Sequence, residues 1–382
     1  MRPARVVERL SHFKPRFCPR RDCPEHQRRS AGYRCTPCGF YQRQCDGRIV
    51  PRFLCGTCGR TFSQQTFAFS YYLKRPKLTI PIAKGLVAGS AHRQIARSVG
   101  CHHSTVTARS RRLGRHGMLF HTLALRRLRL DEPVVVDDFD SFAGSQFFPC
   151  TLPTATGWES WFVYGFAFSR ERRRGHLSPW QKTERERLEG LFGRPRRGAV
   201  RDAFAGLIEA LPPTSGALDL ISDADRAIRS AVRVARRRIR HRAYANPRRG
   251  PKGSPRSPEA VTRDIAMFPN DQLHRFLRHT LAAHRRETIA FGRSYCGLAE
   301  RMAAFVVWRN FVQARSERRP RDGTTAMHLG LTRRPWRWLE VLAKRLFPDR
   351  VRPDGSTTLF YRRQIDTPHL KSHRRHDLRL AF

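Results

Sequence analysis

Apolar positions change their period several times along the chain. Between residues 78 and 115 they recur at helical spacing. Ile82, Leu86 and Val87 share one face, and Ile95, Ala96 and Val99 share the next, with Ser90 as a cap and Gly100 as a turn. Val134-Val135-Val136 is a continuous apolar run, the pattern of a strand buried on both faces, and Phe139 and Phe142 follow it. Residues 145–152 and 158–169 predict the next two strands, and the charged stretch 170–197 predicts a surface excursion. Residues 200–211 read as a helix with Phe204, Leu207, Ile208 and Leu211 inward, stopped by Pro212-Pro213. A second apolar strand ends at Ser222-Asp223, and a helix with Asp225 in its first turn continues to about Arg240. The Pro-, Gly- and Arg-rich residues 246–258 predict a basic loop.

Further on, residues 267–271 open another helix, with Asn270 as its cap and Leu273, Phe276, Leu277 and Leu281 inward. Residues 298–313 predict a nearly buried helix. After a linker at residues 320–324, residues 329–346 predict a helix, residues 358–361 a strand, and the chain ends in a basic tail.

Two features add chemistry to this pattern. Seven of the ten cysteines lie between Cys18 and Cys58, and Cys35/Cys38 and Cys55/Cys58 are each spaced CxxC, which reads as metal binding in a reducing compartment. CxxC followed by Gly59 turns two thiolates toward one point. The simplest structural Zn2+ site is Cys18, Cys23, Cys55 and Cys58, a zinc ribbon. Cys35, Cys38 and Cys45 with Cys23 or His26 form a second candidate set. The run from His92 to Val106 reads as helix, tight turn and recognition helix, so Thr105, Thr107 and Arg109 are expected to face a DNA groove, with Arg111, Arg112 and Arg115 on phosphates. The aromatic run Phe62, Phe67, Phe69, Tyr71 and Tyr72 is expected to pack the ribbon onto the helices.

Charge changes the picture most. Lys and Arg number 75 against 31 Asp and Glu, a formal net charge of +44. Such a protein holds phosphate backbones, and a carboxylate at the end of a buried strand repels them unless a cation intervenes. Asp137 and Asp223 stand at two strand ends, and Asp271 lies on a helix near Arg275 and Arg278. Three converging carboxylates fit an RNase H-like nuclease core with two Mg2+ or Mn2+ ions. The 382 residues suit several domains: a zinc ribbon at 1–75, an all-α helix-turn-helix unit at 76–125, an α/β RNase H-like unit with a mixed sheet at 130–320 and a basic extension at 321–382. With no long apolar segment and no apolar signal core, the expected location is the cytoplasm, on the nucleoid.

This ordering resembles a bacterial insertion-sequence transposase with a DDE-type catalytic domain, of the InsA/InsB kind. Tyr33-Arg34-Cys35-Thr36-Pro37-Cys38 and the segment from Leu54 to Phe62 resemble pieces of the InsA ribbon. Val136-Asp137-Asp138-Phe139 and Ser222-Asp223 resemble the segments carrying the first two catalytic acids. The run from Arg286 to Ser294 resembles an InsB segment, and counting back from it puts the family's third acid, a glutamate, at Asp271, one methylene shorter. Glu287 and Glu300 are the alternative third ligands. The resemblance implies binding of terminal inverted repeats in double-stranded DNA, metal-dependent phosphodiester cleavage and strand transfer into a target, contacts from Arg275, Arg278 and Arg286, and a homodimer or higher oligomer. A transposon-derived DNA-binding protein that no longer cuts is the second reading.

Overall fold

The computed structural model describes residues 13–28, 32–248, 250–251, 253–285 and 288–370. Near the N-terminus, β1 (Cys35–Gln42), β2 (Ile49–Cys55) and β3 (Thr61–Ser63) form an antiparallel sheet in that order. Val50, Phe53 and Cys55 of β2 turn inward, and Phe53 stacks on Phe62 of β3 with ring centroids 5.8 Å apart. So few residues bury little apolar surface, and Cys18, Cys23 and Cys55 complete this small core.

Three helices follow: α1 (Thr79–Leu86), α2 (His92–Ser98) and α3 (His103–Leu125). Gly100 makes the turn before α3 in a left-handed conformation, φ +61°. The cap of α2 is Ala91 rather than Ser90, because the Gln94 side chain accepts the Ala91 N–H at 2.7 Å. Helix α3 runs for 23 residues, well beyond a recognition helix.

The mixed sheet comprises β4 (Val134–Phe142), β5 (Pro149–Gly157), β6 (Val163–Phe166), β7 (Ser169–Arg170), β8 (Leu218–Asp223) and β9 (Ile239–Tyr244). Its order is β6-β5-β4-β8-β9, with β7 paired to β5. Strands β4, β5 and β6 are antiparallel neighbours, whereas β8 runs parallel to both β4 and β9. The strand expected over 145–152 starts four residues later, and β6 covers only part of 158–169. The surface excursion contains α4 (Pro179–Phe192), capped by Ser178, and α5 (Ala199–Ala210) packs Phe204, Leu207 and Ile208 on the sheet.

Asp225 is an N-cap, accepting N–H bonds from Ala227 and Ile228 at 2.6 and 3.3 Å. The helix it starts, α6 (Arg226–Val234), stops well short of Arg240, where β9 has begun instead. Arg-rich β9 lies at the sheet edge, where basic side chains face solvent between the ladder bonds.

Two long helices complete this layer, α7 (Pro258–Thr280) and α8 (Tyr295–Phe311). Helix α7 begins nine residues before the expected start, because Ser257 accepts the Ala260 N–H at 3.2 Å and Pro258 takes the first position, where its missing N–H costs nothing. Pro269 sits inside the helix and removes one ladder bond. Asn270 is therefore no cap. It is fully buried, donating to the Val135 carbonyl at 3.2 Å and accepting from Thr156 Oγ1 at 2.6 Å.

Helix α3 crosses α8 at two glycines. A Cβ on Gly114 would lie 2.2 Å from the Glu300 carbonyl oxygen, and one on Gly117 would lie 2.8 Å from that of Ala303. One apolar cluster runs from Phe69, Ile82 and Ile95 through Val134 and Val136 to Val307 and Trp338.

The end of the described chain differs from expectation. Residues 329–346 contain only α10 (Trp338–Val341), preceded by α9 (Thr325–His328) and followed by α11 (Pro348–Val351). Pro335 interrupts the helical pattern, and Trp336 instead packs on Phe120 and Phe311. Residues expected as a strand form α12 (Gly355–Tyr361): Asp354 accepts the Thr357 N–H at 2.8 Å, and Phe360 is buried against Phe166 and Phe168. No described helix is long and apolar enough to cross a membrane.

Candidate functional site

Strand alternation decides which acids meet. Val135 and Ile221 bury their side chains against Ala266 and Met267 of α7, while Val134, Val136, Leu218 and Leu220 face the other layer. Asp137 and Asp223, two residues beyond Val135 and Ile221, therefore lie on the α7 side. Val136 is opposite Ser222 in the parallel ladder, so the next residues in register are Asp137 and Asp223. Asp271 of α7 is near enough for its charge to be felt at Asp137, but the three carboxylates expected to converge are not drawn within 4.8 Å of one another. An open cleft of about 1340 Å3 runs along these elements, lined by Asp138, Asp271 and His274 and rimmed by Arg256, Arg275, Arg278 and Arg285.

Burial shapes the electrostatics. Asp137 is 8% exposed, and its carboxyl is held well above the ordinary range, first by desolvation, then by the charges of Asp138 and Asp223. Burial, then Asp140 and Asp223, pushes Asp138 up to about 6. Desolvation also raises Asp223, partly offset by the Asp225 N–H that it accepts at 3.0 Å.

The cation beside these acids is Arg263, on the preceding turns of α7. Its guanidinium bonds both carboxylate oxygens of Asp271, at 2.5 and 3.4 Å. Burial works against the Arg263 charge, but the bond to Asp271 and the fields of Asp271, Asp137 and Asp264 more than offset this and raise its pKa. His274 faces the acids from the same helix. Its Nε2 lies 3.0 Å from Thr154 Oγ1, and its Nδ1 lies 3.7 Å from Asp137 Oδ2. Thr154 Oγ1 donates to the Asp137 carbonyl, so the ring donates through Nε2 and turns the Nδ1 lone pair toward the carboxyl. Burial, then Arg278 and Arg263, lowers His274 to about 3, so the ring is neutral.

Neither Arg263 nor His274 was singled out from sequence. Both lie on the helix stripe Arg263-Met267-Asn270-His274-Leu277, which is readable once the start at Ser257-Pro258 is recognised.

Other expected residues fall differently. Glu300 is buried on α8 and bonded to Arg363, committed away from the cleft. Glu287 and Arg286 lie outside the described residues. Arg275 is exposed at the rim, whereas Arg278 donates to the carbonyls of His284 and Asp140 at 2.7 and 2.8 Å and covers the Phe139 ring.

On α3, Thr107 is exposed and Thr105 half-buried, but Arg109 does not face a groove. It is 6% exposed and donates to the Arg75 carbonyl at 3.2 Å, because the continuing helix puts position 109 with Val106 and Leu113 on the packed side. Arg111 is exposed, and Arg112 lies over the Phe69 ring.

The four cysteines make the tightest constellation. Cys18, Cys23, Cys55 and Cys58 place one sulfur each within 4.8 Å of the others. The Cys18–Cys58 and Cys23–Cys55 sulfurs are 3.8 and 3.9 Å apart. A zinc ion about 2.3 Å from four tetrahedral sulfurs sets them about 3.8 Å apart, so the donor set fits. Among the described residues no other group of three or more His, Cys, Asp or Glu side chains is gathered this closely. The second cysteine set does not assemble: Cys35 sits opposite Cys55 in the sheet, Cys45 is exposed, and His26 Nδ1 bonds the Cys18 carbonyl at 2.8 Å.

A scan against protein families and a search of curated proteins find no match to this chain. The functional reading therefore rests on residues and geometry.

Proposed function

We propose that this chain is a DDE-type DNA transposase with an RNase H-like core, acting on the ends of an insertion sequence. The observation that carries the reading is Asp137 and Asp223 side by side on adjacent parallel strands, with Asp271 on α7 near enough for its charge to act on Asp137. A mixed sheet in the order β6-β5-β4-β8-β9 is the scaffold such a core requires.

The donors are all carboxylate oxygens, which suit hard divalent ions, and the raised Asp137 pKa reflects first its burial and then the neighbouring acids, both of which a bound cation would offset. Asp137, Asp223 and Asp271 would hold Mg2+ or Mn2+, which supplies charge neutralisation and an activated water or 3′-hydroxyl. Arg275 and the rim arginines attract the DNA backbone to the cleft. Arg278 orients the β4 end by holding the Asp140 carbonyl. Cys18, Cys23, Cys55 and Cys58 form a zinc ribbon whose Zn2+ contributes folding energy. Helices α1 to α3 form the helix-turn-helix unit, and Thr105, Thr107 and Arg111 remain its candidate DNA contacts. Double-stranded terminal repeats and target DNA are the partners, on a homodimer or larger assembly in the nucleoid.

The test is Mg2+- or Mn2+-dependent cleavage and joining of DNA carrying the element's own ends. Asp137→Asn, Asp223→Asn and Asp271→Asn are expected to abolish both steps while leaving binding intact. Tight, specific binding by a wild-type protein that neither cuts nor joins would replace this reading with that of a non-cutting DNA-binding descendant. The bond between Arg263 and Asp271 is the observation that favours this alternative.

A further inference from the structure

Two hollows, of about 950 and 470 Å3, run from the cysteine unit to the middle of α3 and share Tyr71, Tyr72 and Arg345. Five basic side chains line each hollow, Arg345 being common to both; Arg43 in the first is paired with Asp46, whereas no carboxylate lines the second among the described residues. Like charges held together without counter-charge repel one another. Burial, then the neighbouring Arg345, Arg109 and Arg115, pulls Arg112 down to about 10. Glu300 lies within electrostatic reach of Arg111 and Arg115, but it is bonded to Arg363. The fold has assembled a positive groove that an anionic ligand would relieve.

The groove also carries aromatic faces. Arg345 lies over the Tyr71 ring at 4.7 Å and Arg115 over Tyr361 at 4.3 Å. These stacks hold planar guanidinium groups in place; Arg345 spends one N–H on the Thr66 carbonyl at 3.2 Å and keeps others to donate. Tyr72, where the hollows meet, is 85% exposed and sits at φ +60°, a conformation costly for an aromatic residue. Its ring touches Tyr71 edge-on, centroids 4.5 Å apart, leaving the rest of the side chain to solvent. Its ring is thus an exposed aromatic face set between basic hollows, the surface on which a base can stack.

We propose that this groove binds an unpaired DNA strand, with phosphates along Arg111, Arg112, Arg115 and Arg345 and a base on Tyr72. Duplex DNA keeps its base faces stacked and offers none to Tyr72, whereas a single strand offers one at every nucleotide. The groove is separate from the acid cleft, so the inference does not rest on the catalytic reading.

The test uses the full chain and fluorescence anisotropy, with labelled oligo(dT) of about a dozen nucleotides and a duplex of equal length. Tyr72→Ala is expected to weaken oligo(dT) binding about tenfold and duplex binding hardly at all, and Tyr72→Trp to retain it. Arg111→Gln, at an exposed position, should weaken oligo(dT) binding and flatten its salt dependence. In the wild-type protein, irradiated oligonucleotide carrying 5-iododeoxyuridine should crosslink to Tyr72, a readout independent of any variant's folding. With Tyr72→Ala, equal losses on single strand and duplex or no loss at all, or in the wild type crosslinks confined to other segments, would overturn the proposal. Tighter binding of oligo(rU) than oligo(dT) would overturn the assignment to DNA.

Discussion

Arg263→Gln tests whether the guanidinium competes with a divalent ion for the acids. With Asp137, Asp223 and Asp271 ionised, three negative charges face one positive charge from Arg263. The pair with Asp271 is mostly buried, its side chains 14% and 24% exposed. Unit charges about 4 Å apart attract by about 4 kcal/mol at an effective dielectric constant near 20. Desolvation of the guanidinium takes back part of this, leaving about 1–3 kcal/mol.

An ion bound by Asp271 has to displace or share that contact, so removing the contact returns part of this energy to ion binding. The expected result is Mn2+ binding about tenfold tighter, equivalent to about 1.4 kcal/mol, by calorimetry on DNA-free protein. In EDTA the same variant should lose about 1–3 kcal/mol of unfolding free energy, because Asp271 is left without its partner. Saturating Mn2+ should restore most of that loss. Unchanged or weaker Mn2+ binding would refute the competition argument and make Arg263 a purely structural partner of Asp271.

Three further outcomes follow from the geometry. Cys18→Ser or Cys58→Ser should lower bound zinc from one equivalent toward none and unfold the N-terminal sheet, whereas Cys45→Ser, at an exposed position, should leave the zinc content unchanged by colorimetric assay. Gly114→Ala forces a Cβ onto the α8 backbone and should cost about 3 kcal/mol or more in urea unfolding. Gly190→Ala on α4, where nothing lies within 4 Å, should instead stabilise by about 0.5–1 kcal/mol. For pH, the raised Asp137, Asp138 and Asp223 keep their protons in the folded state, so metal-free stability falls as pH climbs from about 4 through the raised values, about 6 for Asp138. His274 and His284, lowered to about 3, act with the opposite sign: the unfolded chain binds protons below about 6.5, so stability rises with pH across that window. Mn2+ acts on the acids, so the rise in Tm that it causes should be small near pH ~5 and grow toward pH ~8; a rise independent of pH would put the ion elsewhere.

What could be read from sequence was whatever local chemistry marks strongly. Asp137 stood out because it follows Val134-Val135-Val136, although β4 runs on to Phe142 and places it mid-strand rather than at the expected end; Asp223 does end β8, and the four clustered cysteines stood out by their spacing. Helix α7 was misjudged because Pro269 resembles an opening residue, while the true start, Ser257-Pro258, lies in a stretch that reads as loop. That error hid Arg263 and His274 and turned the buried Asn270 into a cap. Arg109 was misplaced for a different reason. Its exposure depends on α3 continuing to Leu125, which is set by packing against α8 rather than by anything near position 109. The C-terminal strand failed likewise: Phe360 has β propensity, but the Asp354 cap and the Phe166 and Phe168 surface select a helix.

Helix α3 has one more consequence. It is a single rod of 23 residues, about 34 Å long, with its first turns among the short N-terminal helices and its middle clamped backbone-to-backbone on α8. At Gly114 and Gly117 no side chain lies between the two helices to absorb slippage. A twist applied at the outer end therefore reaches α8 as rigid rotation rather than dissipating in a linker. One inserted residue in the exposed first turns of α3 would turn the outer unit by about 100° relative to the acid cleft. The phase between the N-terminal unit and the carboxylates of the cleft is thus written into the length of one helix.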